Sequence, residues 1–273
     1  MLYDEEIKLV AIDLDGTLLN DKRQIPTETI QIIQKVIEQG VIVTLSSGRS
    51  FCSVLPYARQ LNLQVPLITH CGAYVTDVRE ENIIIKKKMD LPTAQKIISF
   101  FEEEGYYIKV YCNEMFFVQE ETLKTIEFSR NFGVPYTVVG KGQLHTLTEA
   151  PFRIVVQDEP DGIQNARRQL GYWKDKVTVF QDTARGLEIL DANVSKGLAL
   201  SALCQKFNIP PSKVLAIGNE GNDMEMLRLA GLGIAMENAW TELKDCADII
   251  IPKSNLQRGV EYALRKYVLK ENL

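Results

Sequence analysis

Four short segments of the chain concentrate carboxylates, hydroxyls, amides, a lysine and glycines. They are residues 13–17 (DLDGT), 46–49 (SSGR), 193–197 (NVSKG) and 218–223 (GNEGND). Carboxylate and carbonyl oxygens are the usual ligands of hard divalent cations, whereas hydroxyl, ammonium and main-chain NH groups bind anions. If the four segments meet in the folded chain, they would form a site that holds a divalent cation beside an anionic ligand.

The pattern of the surrounding chain predicts that the segments do meet. The first, second and fourth follow short apolar runs, at residues 6–14, 41–45 and 214–218, and the third opens a predicted helix over residues 195–207. Such apolar runs are typical of strands that are buried on both faces of a parallel sheet. Ligands of open parallel sheets bind at the carboxyl ends of the strands, so we expect all four segments at one edge.

The alternation of predicted strands and helices favours an α/β fold with a doubly wound, Rossmann-like parallel sheet. The middle of the chain differs, because antiparallel strands mixed with two helices are indicated there. We therefore predict a core of residues 1–82 and 191–273 and an inserted α+β cap domain of residues 83–190. The run at residues 83–89 is expected to be a strand of the cap sheet.

Each segment also has a purely structural interpretation. Asp and Gly favour turns, and Asn222 followed by Glu225 resembles a helix capping box. If Ser195 caps the predicted helix, Lys196 lies in the first turn, where the helix macrodipole disfavours a cation by about 0.3 kcal/mol or more. That mild conflict indicates that Lys196 faces an anionic group. The convergence of all four segments favours a functional site over four unrelated turns.

In order and spacing, the segments resemble the four motifs of the haloacid dehalogenase superfamily of phosphotransferases. The matching stretches are DLDGTLL at residues 13–19, SGR at 47–49, VSKG at 194–197 and GNEGNDMEML at 218–227. The long insertion between the second and third motifs resembles the large cap of the Cof-type phosphatases. The resemblance extends over essentially the whole chain.

The resemblance implies a role for each motif residue. Asp13 would be the nucleophile that forms an aspartyl-phosphate, and Asp15 the general acid and base. Lys196, the third catalytic residue, would neutralise charge on the phosphoryl group. The implied substrate-binding residues are Gly16, Ser47, Gly48, Arg49 and Asn222, and the implied Mg²⁺ ligands are Asp13, Asp15 (through its main-chain carbonyl), Asn219 and Asp223.

Two positions depart from the usual family motifs. The fourth motif usually begins Gly-Asp, with the Asp bound directly to the metal, but this chain has Asn219, whose neutral oxygen would give a weaker site. The stretch after the third strand is usually Asn-Gly-Ala and here reads HCGA at residues 70–73. We interpret His70 and Cys71 as structural, because adjacent residues of a strand point to opposite faces. Arg49 could contact the phosphate or equally anchor its own loop.

The composition excludes several classes of function. The 273 residues are 45% hydrophobic and 25% charged, which is typical of a globular protein, and the net charge of −5 argues against nucleic acid and anionic membranes as partners. No apolar run is long enough to span a bilayer, and the N-terminus does not have the pattern of a signal peptide. Five scattered cysteines without a CxxC pair favour the reducing cytoplasm. The chain is expected to be a monomer or a homodimer.

The sequence therefore predicts a cytoplasmic, Mg²⁺-dependent phosphatase acting on small phosphorylated metabolites such as sugar phosphates or nucleotides. Two alternatives stay open. A phosphomutase would use the same aspartyl-phosphate, but such enzymes usually carry a smaller cap. A catalytically impaired protein that binds phosphorylated ligands would explain Asn219, although Asp13, Asp15 and Lys196 together favour an enzyme.

Overall fold

The computed structural model describes residues 5–272, and the chain divides into two compact units. The first unit, which we call the core, takes in the chain up to Gly48, the segment Val54–Ile85 and the chain from Ser195 onward. The second unit, the cap, contains Arg49–Ser53 and Lys86–Val194.

The elements follow one another in the order expected of an α/β chain with an insertion. The first part of the core contains β1 (Leu9–Asp13), α1 (Thr27–Glu38), β2 (Ile42–Ser46), α2 (Phe51–Gln60, whose first residues count with the cap), β3 (Leu67–Thr69), β4 (Tyr74–Thr76) and β5 (Ile83–Lys86). The cap contains α3 (Leu91–Glu103), β6 (Tyr107–Cys112), β7 (Met115–Val118), α4 (Leu123–Phe132), β8 (Tyr136–Val138), β9 (Arg153–Gln157), α5 (Pro160–Gln169), β10 (Val177–Thr183) and β11 (Gly186–Asp191). The core resumes with α6 (Lys196–Phe207), β12 (Val214–Gly218), α7 (Met224–Leu229), β13 (Leu232–Ala235), α8 (Thr241–Lys244), β14 (Ile249–Ile250) and α9 (Gly259–Ala263).

The core is built on an eight-stranded sheet in the order β14-β13-β12-β1-β2-β3-β4-β5. The pairs from β14 to β3 are parallel, and β4 returns antiparallel beside β3. The predicted doubly wound α/β fold is confirmed. The expectation for residues 83–89 was wrong, because β5 ends the core sheet rather than joining the cap sheet. The side chains of β5 are half-buried or exposed. The sequence of a strand with one solvent-exposed face does not indicate which sheet the strand joins.

The register of the central strands brings three of the four segments to the same edge of the sheet. Asp13, the last residue of β1, lies opposite Ser46, the last residue of β2. On the other side, Ile12 pairs with Ile217 of β12, so Gly218 leaves the sheet next to Asp13. These strands are buried almost throughout, which explains their uninterrupted apolar sequences.

The cap is a six-stranded sheet in the order β10-β11-β9-β6-β7-β8, antiparallel except for the β7–β8 pair. One face packs against α3 and α5 through an apolar cluster that includes Ile98, Phe101, Ile108 and Ile154. Because side chains alternate along a strand, the other face carries Lys109, which is buried with its ammonium group 3.6 Å from the Phe128 ring centroid. α4 and β8 were not predicted from the sequence. Of the helices within residues 5–272, none has the length and apolar character that crossing a bilayer demands.

Candidate active site

The centre of the site is Asp13, which is only 5% exposed at the carboxyl end of β1. The chain turns immediately after it, and Gly16 adopts φ +72°, a left-handed conformation that glycine accepts without strain. Asp15, two residues after Asp13, is half-buried. The turn therefore holds two carboxylates near one edge of the sheet, one of them buried and one accessible to solvent.

A buried lysine joins two carboxylates of the predicted site. The Nζ of Lys196 donates to Asp13 Oδ1 at 2.7 Å and to Asp223 Oδ1 at 2.6 Å. The side chains of Lys196 and Asp223 are 1% and 0% exposed. Since a buried charge needs a partner, the arrangement requires all three groups, and it brings together residues that are distant in the sequence.

The beginning of α6 explains how Lys196 reaches this position. Ser195 is the N-cap of α6, and its Oγ accepts a hydrogen bond from the main-chain NH of Leu198 at 3.1 Å. The same hydroxyl donates to the carboxylate of Glu225 in α7. As predicted, Lys196 is the first residue of the helix, where the macrodipole is unfavourable to a cation. The carboxylates of Asp13 and Asp223 offset that penalty.

The electrostatics of the cluster shift two pKa values. Burial and the neighbouring Asp223 carboxylate raise the pKa of Asp13 to about 7, although the Lys196 charge acts in the opposite direction. Burial alone would lower the pKa of Lys196, but the charges of Asp13 and Asp223 raise it well above its ordinary value. Lys196 therefore stays protonated, and Asp13 takes up a proton more readily than an ordinary aspartate.

Asp223 shapes the loop that contains Asn219. Its Oδ2 accepts hydrogen bonds from the main-chain NH groups of Asn219 at 2.9 Å and Glu220 at 3.1 Å. The capping box that we expected for Asn222 and Glu225 was wrong. The box is formed instead by Glu220 and Asp223, because a short helical turn precedes α7 and moves the cap two residues toward the N-terminus.

Asn219 lies between the loop after β1 and the Lys196 cluster, and it is 6% exposed. One terminal atom of its amide lies 2.8 Å from Thr17 Oγ1, 3.1 Å from Asp13 Oδ2 and 2.8 Å from the main-chain oxygen of Asp15. An oxygen in that position would receive one hydrogen bond, from Thr17. An NH₂ group there can donate to the carboxylate and the carbonyl, so hydrogen bonding favours the NH₂ group at this end of the amide.

The second and fourth segments meet at the turn that follows β3. The main-chain NH of Cys71 donates to the oxygen of Ser47 at 3.0 Å, and Nδ2 of Asn222 lies 3.7 Å from Cys71 Sγ. The sequence-based prediction that His70 and Cys71 lie on a strand was wrong, because this turn does not continue β3. Both have left-handed φ values of +48° and +54° and are buried, so strand alternation does not describe them.

Gly72 completes this turn with φ +99° and lies against the start of α6. A Cβ atom at Gly72 would lie 2.2 Å from the main-chain oxygen of Ser195, so only glycine permits this approach. The turn thereby supports the residue that precedes Lys196. Nothing in the sequence pattern had indicated this contact.

Most of the predicted site residues belong to the core cluster, but Arg49 does not. The contacts described above join one group, Asp13, Asp15, Thr17, Lys196, Asn219 and Asp223. They join a second group, Ser47, Cys71 and Asn222, which adjoins the first because Asn222 precedes Asp223 in the chain. Gly48, directly after Ser47, is the last core residue before the chain enters the cap. Arg49 is buried in the cap unit, with its guanidinium carbon 4.7 Å from the Phe132 ring centroid.

The oxygens around Asn219 fit a hard divalent cation. Neighbouring ligands of an octahedral Mg²⁺ lie about 3.0 Å apart, close to the 3.1 Å and 2.8 Å that separate the amide atom from Asp13 Oδ2 and Asp15 O. Among residues 5–272, no group of three or more Asp, Glu, His or Cys side chains has metal-binding geometry. The donor set is therefore one carboxylate, one carbonyl and one amide. Asp223 is already engaged by Lys196 and two main-chain NH groups.

The chain matches known proteins over nearly its whole length. Residues 10–264 match the sequence profile of the haloacid dehalogenase-like hydrolases. A Streptococcus pyogenes protein that is provisionally named a phosphatase is 31% identical to this chain over 267 residues. The match covers 96% of this chain and 99% of the S. pyogenes protein. The Bacillus subtilis 5-amino-6-(5-phospho-D-ribitylamino)uracil phosphatase YcsE is 29% identical over 269 residues, covering 97% and 98%.

A solved structure agrees with the sequence matches. The crystal structure of a Thermotoga maritima protein superposes with a TM-score of 0.81 at 28% identity, covering 95% of this chain and 97% of that one. The doubly wound sheet, with its Asp-x-Asp turn beside a buried lysine, agrees with these matches. The chain belongs to the haloacid dehalogenase-like hydrolases. The predicted resemblance, and the prediction of an enzyme of that superfamily, are confirmed.

Proposed function

We propose that the protein is a Mg²⁺-dependent phosphatase that hydrolyses small phosphorylated metabolites through an aspartyl-phosphate on Asp13. One observation carries the proposal: the Asp13 carboxylate is buried at the end of β1 and held at 2.7 Å by the ammonium group of Lys196. A carboxylate fixed in this way has one geometry for attack, and the adjacent cation offsets the charge that accumulates when a phosphate dianion approaches.

In the first half of the proposed reaction, a carboxylate oxygen of Asp13 attacks phosphorus. The bond between phosphorus and the leaving oxygen breaks as the new bond forms. Asp15 donates a proton to the leaving oxygen, which departs as an alcohol. The half-buried position of Asp15, two residues after Asp13, supports this role because its carboxyl group can exchange protons with solvent.

In the second half, Asp15 accepts a proton from a water molecule that attacks phosphorus. The bond between phosphorus and Asp13 breaks, and phosphate and the free carboxylate are regenerated. Lys196 keeps Asp13 oriented through both halves, and Asp223 keeps Lys196 in place. The turn at Cys71 holds Ser47 and Asn222 near the same edge, which supports their assignment as phosphate-binding residues. The roles of Gly16, Gly48 and Arg49 are proposed on the family resemblance.

The proposed Mg²⁺ ligands are Asp13 Oδ2, the main-chain oxygen of Asp15 and the amide oxygen of Asn219. When bound, the ion offsets the negative charge of the phosphoryl group and favours the ionised form of Asp13. We assign Asp223 to a supporting position, because its two oxygens accept hydrogen bonds from Lys196 and from main-chain NH groups. Chelation of the ion is expected to abolish turnover.

The substrate class is proposed to be a small phosphate monoester such as a sugar phosphate or nucleotide. The relative YcsE is named as a phosphatase of such a compound, 5-amino-6-(5-phospho-D-ribitylamino)uracil. The five cysteines are free thiols, which supports the proposed location in the cytoplasm. We propose a monomer or a homodimer.

The nucleophile is tested by Asp13→Asn, assayed with an aryl phosphate in the presence of Mg²⁺. The variant replaces the attacking oxygen by a neutral amide, so hydrolysis is expected to fall to background. The matched control is Asn20→Asp, which exchanges an amide and a carboxylate in the segment between β1 and α1, where the new carboxylate can still accept from the NH groups of Lys22 and Gln24. Mg²⁺-dependent hydrolysis that survives in Asp13→Asn would exclude Asp13 as the nucleophile.

One observation favours a second candidate, a protein that binds phosphorylated ligands without turnover. Asn219 contributes a neutral group where the family usually has a carboxylate, and a neutral ligand binds Mg²⁺ more weakly. Screening a panel of phosphorylated metabolites with and without Mg²⁺ separates the two. Hydrolysis of any member supports the phosphatase, whereas ligand-induced stabilisation without phosphate release supports the binder.

A further inference from the structure

The side-chain amide of Asn219 can turn either a hydrogen-bond donor or an acceptor toward the same neighbours. Its amide atom that lies near Thr17 contacts two acceptors, Asp13 Oδ2 at 3.1 Å and Asp15 O at 2.8 Å. A half-turn about the bond to the amide carbon exchanges NH₂ and oxygen within almost the same volume.

The surroundings of the other end of the amide permit that rotation. Gly16 lies beside it, and a Cβ atom there would lie 2.4 Å from Nδ2 of Asn219. Any side chain at position 16 would therefore compete with the amide for space. The absence of a side chain at Gly16 leaves room for this end of the amide, and the nitrogen and the oxygen differ little in size.

A carboxylate at position 219 would behave differently toward the same neighbours. It would place an acceptor oxygen against the Asp13 carboxylate and the Asp15 carbonyl, and it would add a third carboxylate beside the two that the Lys196 ammonium group contacts. Such a cluster needs a bound cation for stability, because like charges in a buried site repel strongly. The amide has no such requirement, since its NH₂ group donates to both acceptors.

We propose that Asn219 is a reversible latch that makes the site stable without a cation and binds Mg²⁺ only when the ion is abundant. This inference rests on the proposed Mg²⁺ site. Without the ion, the NH₂ group donates to Asp13 Oδ2 and Asp15 O. With the ion, the amide turns its oxygen to Mg²⁺, so binding has to break two hydrogen bonds and gains a neutral ligand. Mg²⁺ affinity is low, and the concentration of the ion regulates whether Asp13 is available.

The latch is tested by thermal unfolding and calorimetric Mg²⁺ titration of the full chain, with Asn219→Asp as the variant. In excess chelator, Asn219→Asp is expected to lower the Tm by about 5 °C, as a loss of roughly 2 kcal/mol would in a chain of this size. Mg²⁺ should restore its Tm while leaving the wild-type Tm almost unchanged. The variant should bind Mg²⁺ about tenfold more tightly than the wild type. Asn20→Asp, which adds the same charge to the core, should match the wild type in both measurements.

Two results would overturn the proposal. One is a variant as stable as the wild type in chelator, and the other is an unchanged Mg²⁺ affinity. If Asn219→Asp does not fold under either condition, Asn219→Ala decides, because it removes the donor without adding charge. Asn219→Ala should have a lower Tm in chelator that Mg²⁺ does not restore, and a Tm equal to that of the wild type would reject the latch. None of these measurements depends on turnover, so they stand apart from the test of the phosphatase function.

Discussion

Lys196 shows most clearly how single residues create this site. Its ammonium group is almost completely buried and donates to both Asp13 and Asp223. Removing one member of a buried ionic cluster leaves the other charges uncompensated. The resulting loss of stability exceeds the net stabilisation that the complete cluster provides. The lysine is therefore expected to matter for folding as well as for the proposed chemistry.

We predict that Lys196→Met lowers the free energy of unfolding by about 3–5 kcal/mol, because two carboxylates are left facing each other in a buried site. Urea unfolding monitored by circular dichroism measures the loss. Lys206→Met is the matched control, since Lys206 lies on the same helix and is exposed, and its effect should stay within about 0.5 kcal/mol. Equal losses in the two variants would contradict the account.

For single residues, the sequence indicated which residues lie around Lys196 but not which hydrogen bonds they form. The position of Lys196 in the first turn of a helix was deduced from the Ser195 cap, and its anionic neighbours followed from the conflict with the helix dipole. The sequence did not reveal that Asp223 uses both oxygens to hold Lys196 and the loop. That arrangement depends on the path of a single loop, and no periodic pattern records it.

At the scale of elements, the turn at residues 70–72 supports the start of α6. Its residues His70, Cys71 and Gly72 all have positive φ values, a conformation that is unfavourable for side chains other than glycine. Strain of this kind persists only where surrounding contacts enforce it. Here the contacts are the hydrogen bond to Ser47 and the close approach to Ser195.

Gly72→Ala is predicted to destabilise the protein and to reduce hydrolysis of an aryl phosphate, because the new Cβ would displace Ser195 and with it Lys196. Gly40→Ala is the control, since Gly40 also has a positive φ, +81°, but no atom lies within 4 Å of its Cβ position. The loss at Gly72 should exceed that at Gly40 by about 1–3 kcal/mol. Similar losses at both positions, with unchanged activity, would show that the contact has no supporting role.

Elements were predictable where their hydrophobic pattern is strong. β1, β2 and β12 are continuous apolar runs, and the structure places each of them in the centre of the core sheet. α4 was missed because its sequence, LKTIEFSRNF, mixes apolar and polar residues without a clear apolar face, and only Thr125 is fully buried. Its position depends on packing against the cap sheet, which is information that the segment itself does not contain.

At the scale of the whole molecule, the cap has an apolar core of its own. The buried cluster that includes Phe101, Ile108, Ile154 and Leu187 is formed entirely by residues between Met89 and Ile189. A unit with its own sheet and its own core can fold independently. The sequence pattern did not define the exact domain limits, because the sequence of the short strand β5 fits the end of the core and the start of the cap equally well.

We predict that the segment Lys86–Val194 folds by itself, with a cooperative urea transition and dispersed amide resonances. Ile154→Asp should abolish folding, because it buries a charge in the apolar cluster. Leu123→Asp should leave the transition unchanged, since Leu123 is 78% exposed. A segment that shows no cooperative transition would contradict the proposed division into core and cap.

If the proposed reaction is right, Asp13 becomes phosphorylated during turnover, and this phosphorylated form can be trapped. An aryl phosphate has a good leaving group and needs little help from a general acid, so Asp15→Asn should slow the attack by water more than the first step. The variant is mixed with an aryl phosphate and Mg²⁺, quenched in acid, digested and analysed by mass spectrometry. We expect one added phosphoryl group on Asp13 and none in the Asp13→Asn, Asp15→Asn double variant. Wild-type hydrolysis with no phosphoryl group on Asp13 in the trapped variant, or with the group on another residue, would contradict it.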